Sequence, residues 1–244
     1  MGIVTFKIAF GSVIIIHMSI QNDDLADSLV KDGYLKTFEL IEVFKNIDRI
    51  DFITEDFKTE AYENIALPIG FGQTISQPLT VAFMLELLQP RAGEKILEIG
   101  SGSGWQTAIL AQIVSRAQTN ADQAQTDAEK FNLQGKIVAI EIIPELREMT
   151  GENVSKYNFI EKKVVESILG DGSKGYKKEA PFDRIIAGAS AQKDVPIAWK
   201  RQLKIGGRIV APVGQSIVVI DKISKNKYNQ KEYFGFAFVP LIEK

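Results

Sequence analysis

The most informative features of this 244-residue sequence are the residue types that it lacks. It contains no cysteine, which excludes disulfides, a thiolate nucleophile and cysteine-ligated metal sites, and is typical of a reducing compartment such as the cytoplasm. Its single histidine, His17, excludes a multi-histidine metal centre and disfavours a histidine-dependent triad. We therefore expect chemistry that needs neither a metal ion nor an imidazole base.

The sequence also has no excess of charge of one sign. Its 29 basic and 31 acidic residues leave a formal net charge of -2, so no global basic field attracts a polyanion. Nucleic acid is accordingly not predicted as a partner. The length and a hydrophobic content of 45% are sufficient for one domain with a large core.

Only the N-terminal stretch "MGIVTFKIAFGSVIIIHM" is a long apolar run. It is shorter than the roughly 20 residues that span a bilayer, and it lacks the charged region and cleavage site of a signal peptide. A start at Met18 would remove nearly all of it. We interpret residues 1–21 as a disordered tail or an upstream-start artefact, with no membrane partner and a single domain at 22–244.

The rest of the chain alternates between strand-like and helix-like segments. Apolar residues at helical spacing over 22–46 predict a helical cap that occupies 22–70. Short apolar runs separated by helix-length segments then predict a parallel sheet with helices on both faces. The predicted strands read KILEIG, KIVAIE, VVESILG, DRIIAGA and RIVAPVG, and the predicted helices WQTAILAQIV, PELREMTGENVSKY and VPIAWKRQL.

Two segments depart from this alternation. The polar stretch 115–135 is predicted to be an insertion, partly helical or mobile, that carries no chemistry. Near the C-terminus, the runs SIVVIDKIS and KEYFGFAFVPL are joined by the polar turn KNKYNQ. They predict an antiparallel hairpin at the edge of the sheet.

A glycine-rich loop, "GSGSG" at 100–104, follows the strand KILEI and precedes a helix. Glycines at such a junction let the backbone approach a ligand, and open α/β folds bind ligands at this edge of the sheet. The nicotinamide fingerprint needs a third glycine where Trp105 stands, which disfavours a dehydrogenase. A plain tight turn is the alternative interpretation of the loop.

Acidic residues lie at the predicted strand ends. Glu98 ends the strand before the glycines, and Glu141 ends the next strand, where a carboxylate can accept both hydroxyls of a ribose. Glu141 follows Gly104 by 37 positions instead of about 20, and the insertion accounts for the excess. Asp171 and Gly172, in "GDG" after the next strand, are placed to contact an adenine.

The stretch "GQTISQP" at 72–78 places three polar side chains directly before an apolar run. Ser76 followed by Pro78 is typical of a helix start, so Ser76 could simply be an N-terminal cap. The alternative is that its hydroxyl serves a functional site. These residues alone do not distinguish the two roles.

Several motifs together resemble those of the class I S-adenosylmethionine-dependent methyltransferases: LEIGSGSGWQTAILA, AIEII, LGDG, APFDRIIAGASA and LKIGGRIVAPVG. The block ALPIGFGQTISQP, with IDRIDFI and FAFVPL, is similar to the protein-L-isoaspartate (D-aspartate) O-methyltransferase family. The resemblance implies a Rossmann-like α/β fold, with a mostly parallel seven-stranded sheet, an antiparallel edge hairpin and an N-terminal helical cap. It covers roughly residues 22–241.

The resemblance implies S-adenosyl-L-methionine as cofactor and methyl transfer to the free carboxylate of L-isoaspartyl and D-aspartyl residues in damaged proteins. The ester then cyclises to a succinimide, which starts repair. Isoaspartyl-containing proteins and peptides are the implied partners, for a monomeric, cytoplasmic enzyme. Ser76 is the implied catalytic residue. The implied cofactor-binding residues are Gln73, Thr74, Ile75, Glu98, Gly100, Ser101, Gly102, Gly104, Glu141, Ile142, Asp171 and Gly172.

Carboxylate methylation agrees with what the sequence lacks. A carboxylate with a pKa near 4 is already ionised at neutral pH, so neither a general base nor a metal is required. The chain departs from the family pattern in three places. Val81 stands where many members carry a histidine, the chain ends soon after VPLIEK, and the 115–135 segment is longer than usual.

Other activities stay open at this point. A class I O-methyltransferase could act on an aspartate of a modified peptide or on a small carboxylic acid. A regulatory module that binds the cofactor without turnover is another alternative, which the intact acidic residues and Ser76 disfavour. Nucleobase amino-methylation is disfavoured, because APFDRIIA at 180–187 lacks the Asx-Pro-Pro-aromatic motif of those enzymes.

Overall fold

The central element of the fold is a seven-stranded sheet. A computed structural model describes residues 10–116 and 135–244, with side chains from Gln21 onwards. Five strands of the sheet are parallel, and the last two are antiparallel to their neighbours. The strands are β3 (Lys95–Ile99), β4 (Lys136–Glu141), β5 (Val165–Leu169), β6 (Phe182–Ala187), β7 (Leu203–Val213), β8 (Ser216–Ser224) and β9 (Lys227–Phe234).

The strand order is β5-β4-β3-β6-β7-β8-β9. The chain therefore starts in the middle of the sheet at β3, builds one side through β5, and crosses to the other side at β6. Ligands bind beside such a reversal, at the carboxyl ends of the strands. The Rossmann-like fold predicted from the sequence is confirmed.

Helices cover the two faces of the sheet, because its parallel strands are apolar on both sides. Side chains such as Ile96, Ile137 and Ile186 belong to one buried cluster, and Leu97 and Val138 belong to the other. The helices are α1 (Phe10–Lys31), α2 (Phe38–Asn46), α3 (Pro78–Leu88), α4 (Trp105–Val114), α5 (Pro144–Ser155) and α6 (Ile197–Gln202). Residues of α1 to α5 join the first cluster, whereas Trp199 of α6 joins the second.

The N-terminal cap is only partly helical. It consists of α1, α2 and two 3₁₀ helices (Arg49–Phe52 and Glu55–Glu60), followed by the strand β1 (Leu67–Gly70). Strand β1 pairs antiparallel with β2 (Gln73–Ile75), so the first residues of GQTISQP form a small hairpin. The sequence did not predict this hairpin. Its strands have only four and three residues, too few for a period of two to be recognisable.

The edge hairpin is confirmed, but its predicted boundaries are wrong. Ser224 pairs with Lys227, so the turn is only Lys225 and Asn226, and most of the predicted turn KNKYNQ belongs to β9. An edge strand is exposed to solvent, so its residues can be polar. A polar strand is not recognised when strands are predicted from apolar runs. The segment FAFVPL is not a strand; the sheet ends near Gly235, whose φ is 99°.

The predicted tail and the predicted insertion both extend into parts of the chain outside the described residues. Helix α1 begins at Phe10, inside the segment predicted to be a tail, and Asn22 is anchored by bonds from its amide to the carbonyls of Phe44 and Lys45. The boundary at residue 22 stays a prediction. The 115–135 insertion lies almost wholly outside the described residues.

Candidate active site

The glycine loop leaves the end of β3 at the point where the strand order reverses. Gly100, Gly102 and Gly104 have φ values of 77°, 57° and 92°, a region that side chains disfavour. A Cβ on Gly102 would lie 3.3 Å from Cδ1 of Ile69. The three glycines therefore permit a turn that brings the backbone to the ligand edge of the sheet, and Gly104 is the N-cap residue of α4.

Helix α5 holds this loop in place. The buried Thr150 hydroxyl donates to the Gly102 carbonyl at 2.8 Å, so it accepts from the Ser101 hydroxyl, also at 2.8 Å. The Asn153 amide donates to the Ser103 carbonyl at 2.9 Å. These bonds satisfy the carbonyls of the loop from behind.

The carboxylate of Glu141 lies beside the loop, at the end of β4, and is only 5% exposed. One oxygen accepts from the backbone amide of Gly102 at 3.0 Å. The other accepts from the amides of Ile142 at 2.8 Å and Ile143 at 3.1 Å. Each carboxylate oxygen has two lone pairs, so the oxygen that accepts from Gly102 keeps one acceptor position for a ligand hydroxyl.

Glu98 is completely buried at the end of β3. Its carboxyl oxygens accept from the Gln106 amide at 2.9 Å and from the Thr107 hydroxyl at 2.6 Å. Burial, with a smaller contribution from the nearby Glu141, raises the pKa of Glu98 to about 7 against the opposing effect of these two hydrogen bonds. Glu98 is thus a polar wall of the site whose charge changes near neutral pH.

Ser76 lies between the end of β2 and the start of α3. It does not cap the helix: Gln77 occupies the N-cap position without a side-chain cap bond, and the Asn64 side chain accepts from the Leu79 amide at 2.9 Å instead. The interpretation of Ser76 as an N-terminal cap is therefore wrong. Among the described residues, its half-buried hydroxyl has no hydrogen-bond partner.

A single cavity joins these elements. It encloses roughly 840 Å³ of space, open solvent at its mouth included, which is in the range of small-molecule sites. Its lining comes from the Ser76 segment and from the ends of β3, β4, β5 and β6. The predicted site residues that line it are Gln73, Thr74, Ile75, Ser76, Glu98, Gly100, Ser101, Gly102, Glu141, Ile142 and Gly172.

Two residues predicted to bind the cofactor do not line this cavity. A Cβ on Gly104 would contact Val154 and Thr150 at 3.1–3.3 Å, so this glycine permits close packing of α4 on α5. The Asp171 carboxylate accepts from Ser173 and from the backbone amide of Lys244, at 2.7–3.0 Å. Burial acts to raise the pKa of Asp171, but these hydrogen bonds, with a further one from Lys174, outweigh it and lower the pKa to about 2.

The cavity also has walls that the sequence did not predict. Residues 239–242, which follow β9, run beside Ser190: its amide donates to the Val239 carbonyl and its carbonyl accepts from the Leu241 amide, both at 2.8 Å. Trp105 and Gln106 of α4 contribute too, and Val81 lines the cavity from α3. Although FAFVPL contributes to the family resemblance, nothing in it predicted a cavity wall, because its residues are apolar and lie far from the glycine loop in sequence.

The described residues include no group of three or more histidine, cysteine or acidic side chains that could hold a metal ion. No helix within the described ranges is long and apolar enough to cross a membrane. The fold and this cavity, with a glycine loop at the strand reversal and an acidic residue ending the next strand, define a class I methyltransferase.

Comparison with known proteins specifies the family. The model of the family described as protein-L-isoaspartate(D-aspartate) O-methyltransferase (PCMT) matches residues 20–244. The chain is 38% identical to the protein-L-isoaspartate O-methyltransferase of Methanopyrus kandleri over 89% of each chain. It is 39% identical to protein-L-isoaspartate O-methyltransferase 2 of Archaeoglobus fulgidus, covering 91% of this chain and 92% of the relative. The chain belongs to the protein-L-isoaspartate(D-aspartate) O-methyltransferase family.

A solved structure agrees on the fold. A Plasmodium falciparum protein described as a protein-L-isoaspartate O-methyltransferase, in complex with S-adenosyl-L-homocysteine, superposes with a TM-score of 0.75 at 22% identity. The alignment covers 91% of this chain and 99% of that one. The family and the enzyme class predicted from the sequence motifs are confirmed.

Proposed function

We propose that this protein transfers the methyl group of S-adenosyl-L-methionine to the free carboxylate of L-isoaspartyl and D-aspartyl residues in damaged proteins. Family membership over residues 20–244 supports the reaction. The observation that carries the assignment of the site is that Ser76, Glu141 and the glycine loop line one cavity at the strand reversal. The methyl ester product cyclises spontaneously to a succinimide, whose hydrolysis returns some normal aspartate.

The residues around the glycine loop fit the cofactor. Glu141 accepts a ribose hydroxyl, because its carboxylate is fixed by three backbone amides and still has one free lone pair. The backbone of Gly100 and Gly102 allows close approach, and Gly172 lines the region proposed for the adenine. When bound, the cofactor supplies an electrophilic methyl group on a sulfonium, which is its own leaving group.

Ser76 orients the substrate carboxylate. Its hydroxyl lies in the cavity wall and is free to donate, since no described residue accepts from it. We do not assign Ser76 as a nucleophile, because direct transfer of a methyl group to a carboxylate needs no acyl intermediate. The residues with described side chains also include no histidine that could act as its base. Thr74 and Gln73 line the same wall and add polar contacts.

The reaction needs no general base. The substrate carboxylate is ionised at neutral pH, so the protein contributes alignment of the nucleophile with the methyl carbon and the sulfur. Glu98 is buried and accepts from Gln106 and Thr107, which suits a residue that shapes the electrostatics of the cavity. The prediction that no metal is required follows from the same chemistry.

The decisive experiment compares methyl transfer to two peptides that differ only in having an isoaspartyl or a normal aspartyl residue. We expect ester formation only with the isoaspartyl peptide. Equal methylation of both peptides, or methylation of a small acid alone, would assign the chain to a different carboxyl methyltransferase. Cofactor binding without any turnover would indicate a regulatory module.

The role of Ser76 is tested by Ser76→Ala. Loss of one positioned donor is expected to lower kcat by roughly tenfold or more, with the melting temperature nearly unchanged because the hydroxyl has no structural partner. Ser155→Ala is the matched control, since Ser155 is exposed on α5 and donates only to Gly151. A mutant that melts earlier but turns over normally would refute the role.

The remaining partner and location assignments stay predictions. Isoaspartyl-containing proteins and peptides are the proposed partners. We propose that the protein is a monomer. We also propose that it is cytoplasmic, and the absence of cysteine from the sequence supports this location. Sedimentation at micromolar concentration would test the monomer.

A further inference from the structure

Arg49, the first residue of a 3₁₀ helix in the cap, is a fully buried cation. Among the described residues, no carboxylate forms an ion pair with it. Burial lowers the pKa of Arg49 to about 10, which leaves it charged at neutral pH. Burying an unpaired charge is costly unless hydrogen bonds compensate for it. Nε of Arg49 has no partner among the described residues, so the bonds of its two Nη atoms identify what the charge stabilises.

The guanidinium donates to four backbone carbonyls. Nη1 donates to Ala61 at 2.7 Å and to Glu63 at 3.0 Å. Nη2 donates to Ile65 at 2.8 Å and to Ser76 at 3.3 Å. Three acceptors belong to one loop, and the fourth is the residue proposed to orient the substrate. The rigid fork of the guanidinium therefore ties this loop to the Ser76 segment.

The same side chain contacts a second wall of the cavity. Its guanidinium carbon lies 5.3 Å from the ring centroid of Trp105, within the range of a cation–π interaction. Trp105 is the first residue of α4, directly after the glycine loop, and it lines the cavity. Arg49 thus lies between the Ser76 segment and the start of the helix that follows the loop.

A further link joins the same two segments one residue later. The side-chain amide of Gln77 donates to the backbone carbonyl of Asn64 at 2.8 Å, and the Asn64 side chain accepts from the backbone amide of Leu79. These bonds fix the start of α3, but they do not involve Ser76 itself. The Ser76 carbonyl accepts from Arg49, so the bond from Arg49 is the one that acts on the residue carrying the hydroxyl.

We propose that Arg49 is a positioning residue, which fixes the backbone of Ser76 so that its hydroxyl is held in the wall of the cavity. The proposal rests on the role of Ser76 proposed above. A lysine at this position would keep the charge, but its single ammonium carries three donors and cannot span four carbonyls in two segments. The Ser76 segment would then lose its link to the cap.

The test is a double-mutant cycle of Arg49→Lys and Ser76→Ala, with kcat measured at saturating S-adenosyl-L-methionine. In the wild-type background, we expect Arg49→Lys to lower kcat by roughly tenfold, comparable with loss of the hydroxyl itself. In the Ser76→Ala background, the same substitution should lower kcat by no more than roughly twofold, because the group that it positions is gone. A purely structural role would give the same loss in both backgrounds.

Tyr157→Phe is the matched control. The Tyr157 hydroxyl donates to Asp51, in the same 3₁₀ helix as Arg49, at 2.7 Å and accepts from the Asp48 amide at 3.0 Å. Among the described residues it forms no hydrogen bond with the Ser76 segment. Deuterium uptake of the backbone over 73–80 should rise in Arg49→Lys and stay at the wild-type level in Tyr157→Phe. Both variants are studied at a temperature where their circular dichroism is that of the wild type.

The outcomes separate the two proposals. A normal kcat for Ser76→Ala would refute the role of Ser76. A reduced kcat for Ser76→Ala, together with equal losses from Arg49→Lys in both backgrounds, would refute the positioning role of Arg49 and leave the role of Ser76 intact. If Arg49→Lys does not fold, Arg49→Gln replaces it in the cycle; failure of both to fold would assign Arg49 to folding and overturn the proposal.

Discussion

The substitution Glu141→Gln tests the cofactor site most directly. It keeps the shape of the side chain but replaces one carboxylate oxygen by an NH₂ group. In the wild type, one oxygen accepts from two amides, those of Ile142 and Ile143, and the other accepts from Gly102. The glutamine carbonyl should keep the pair of bonds, which leaves the NH₂ group facing the Gly102 amide, donor against donor.

Two losses then combine at the ligand. The bond that holds the glycine loop is broken, and a ribose hydroxyl loses a charged acceptor. Loss of one charge-assisted hydrogen bond costs about 1.5–3 kcal/mol. At about 1.4 kcal/mol per tenfold, loss of the ribose bond alone should lower the affinity by roughly 10- to 150-fold, and the broken bond to Gly102 adds to this.

Isothermal titration with S-adenosyl-L-homocysteine measures this affinity without turnover. Glu145→Gln is the matched control, because it removes the same charge from an exposed position in the first turn of α5. The control should bind like the wild type. An unchanged affinity in Glu141→Gln would refute the assignment of Glu141 to the ribose.

Three further outcomes are expected. The pKa of Glu98 is raised to about 7 in the folded protein, so between pH 4.5 and 7 the folded protein keeps a proton that the unfolded chain has released. The free energy of unfolding should therefore fall as the pH rises from about 4.5 to 7. The melting temperature of cofactor-free Glu98→Gln should lack this fall. If the variant and the wild type have the same pH profile, the raised pKa of Glu98 is contradicted. Gly104→Ala should lower the melting temperature through strain at a φ of 92° and contacts with Thr150, yet leave affinity for S-adenosyl-L-homocysteine nearly unchanged in titration. Methyl transfer should be unaffected by a chelator; loss of turnover that a divalent ion restores would show that a metal takes part.

Much of the fold could be predicted because its signals are local. Strand β4 and helix α4 have the predicted bounds, since apolar periodicity and the glycines at the strand–helix junction act within one element. The same local logic placed Glu98 and Glu141 at strand ends, and parallel strands bring such ends to one edge. Membership of the family followed from blocks of sequence that a reader can recognise without coordinates.

Only the tertiary structure decided which groups meet. Asp171 is engaged by Ser173 and Lys244, so its side chain does not line the cavity, although its position in the motif predicted that it would bind the cofactor. Residues 239–242 form a wall far in sequence from the glycine loop. The bond from Arg49 to Ser76 spans 27 positions, and no local periodicity encodes it. Such contacts depend on how separate elements pack, and a hydrogen bond between distant segments forms only when that packing brings donor and acceptor within about 3 Å.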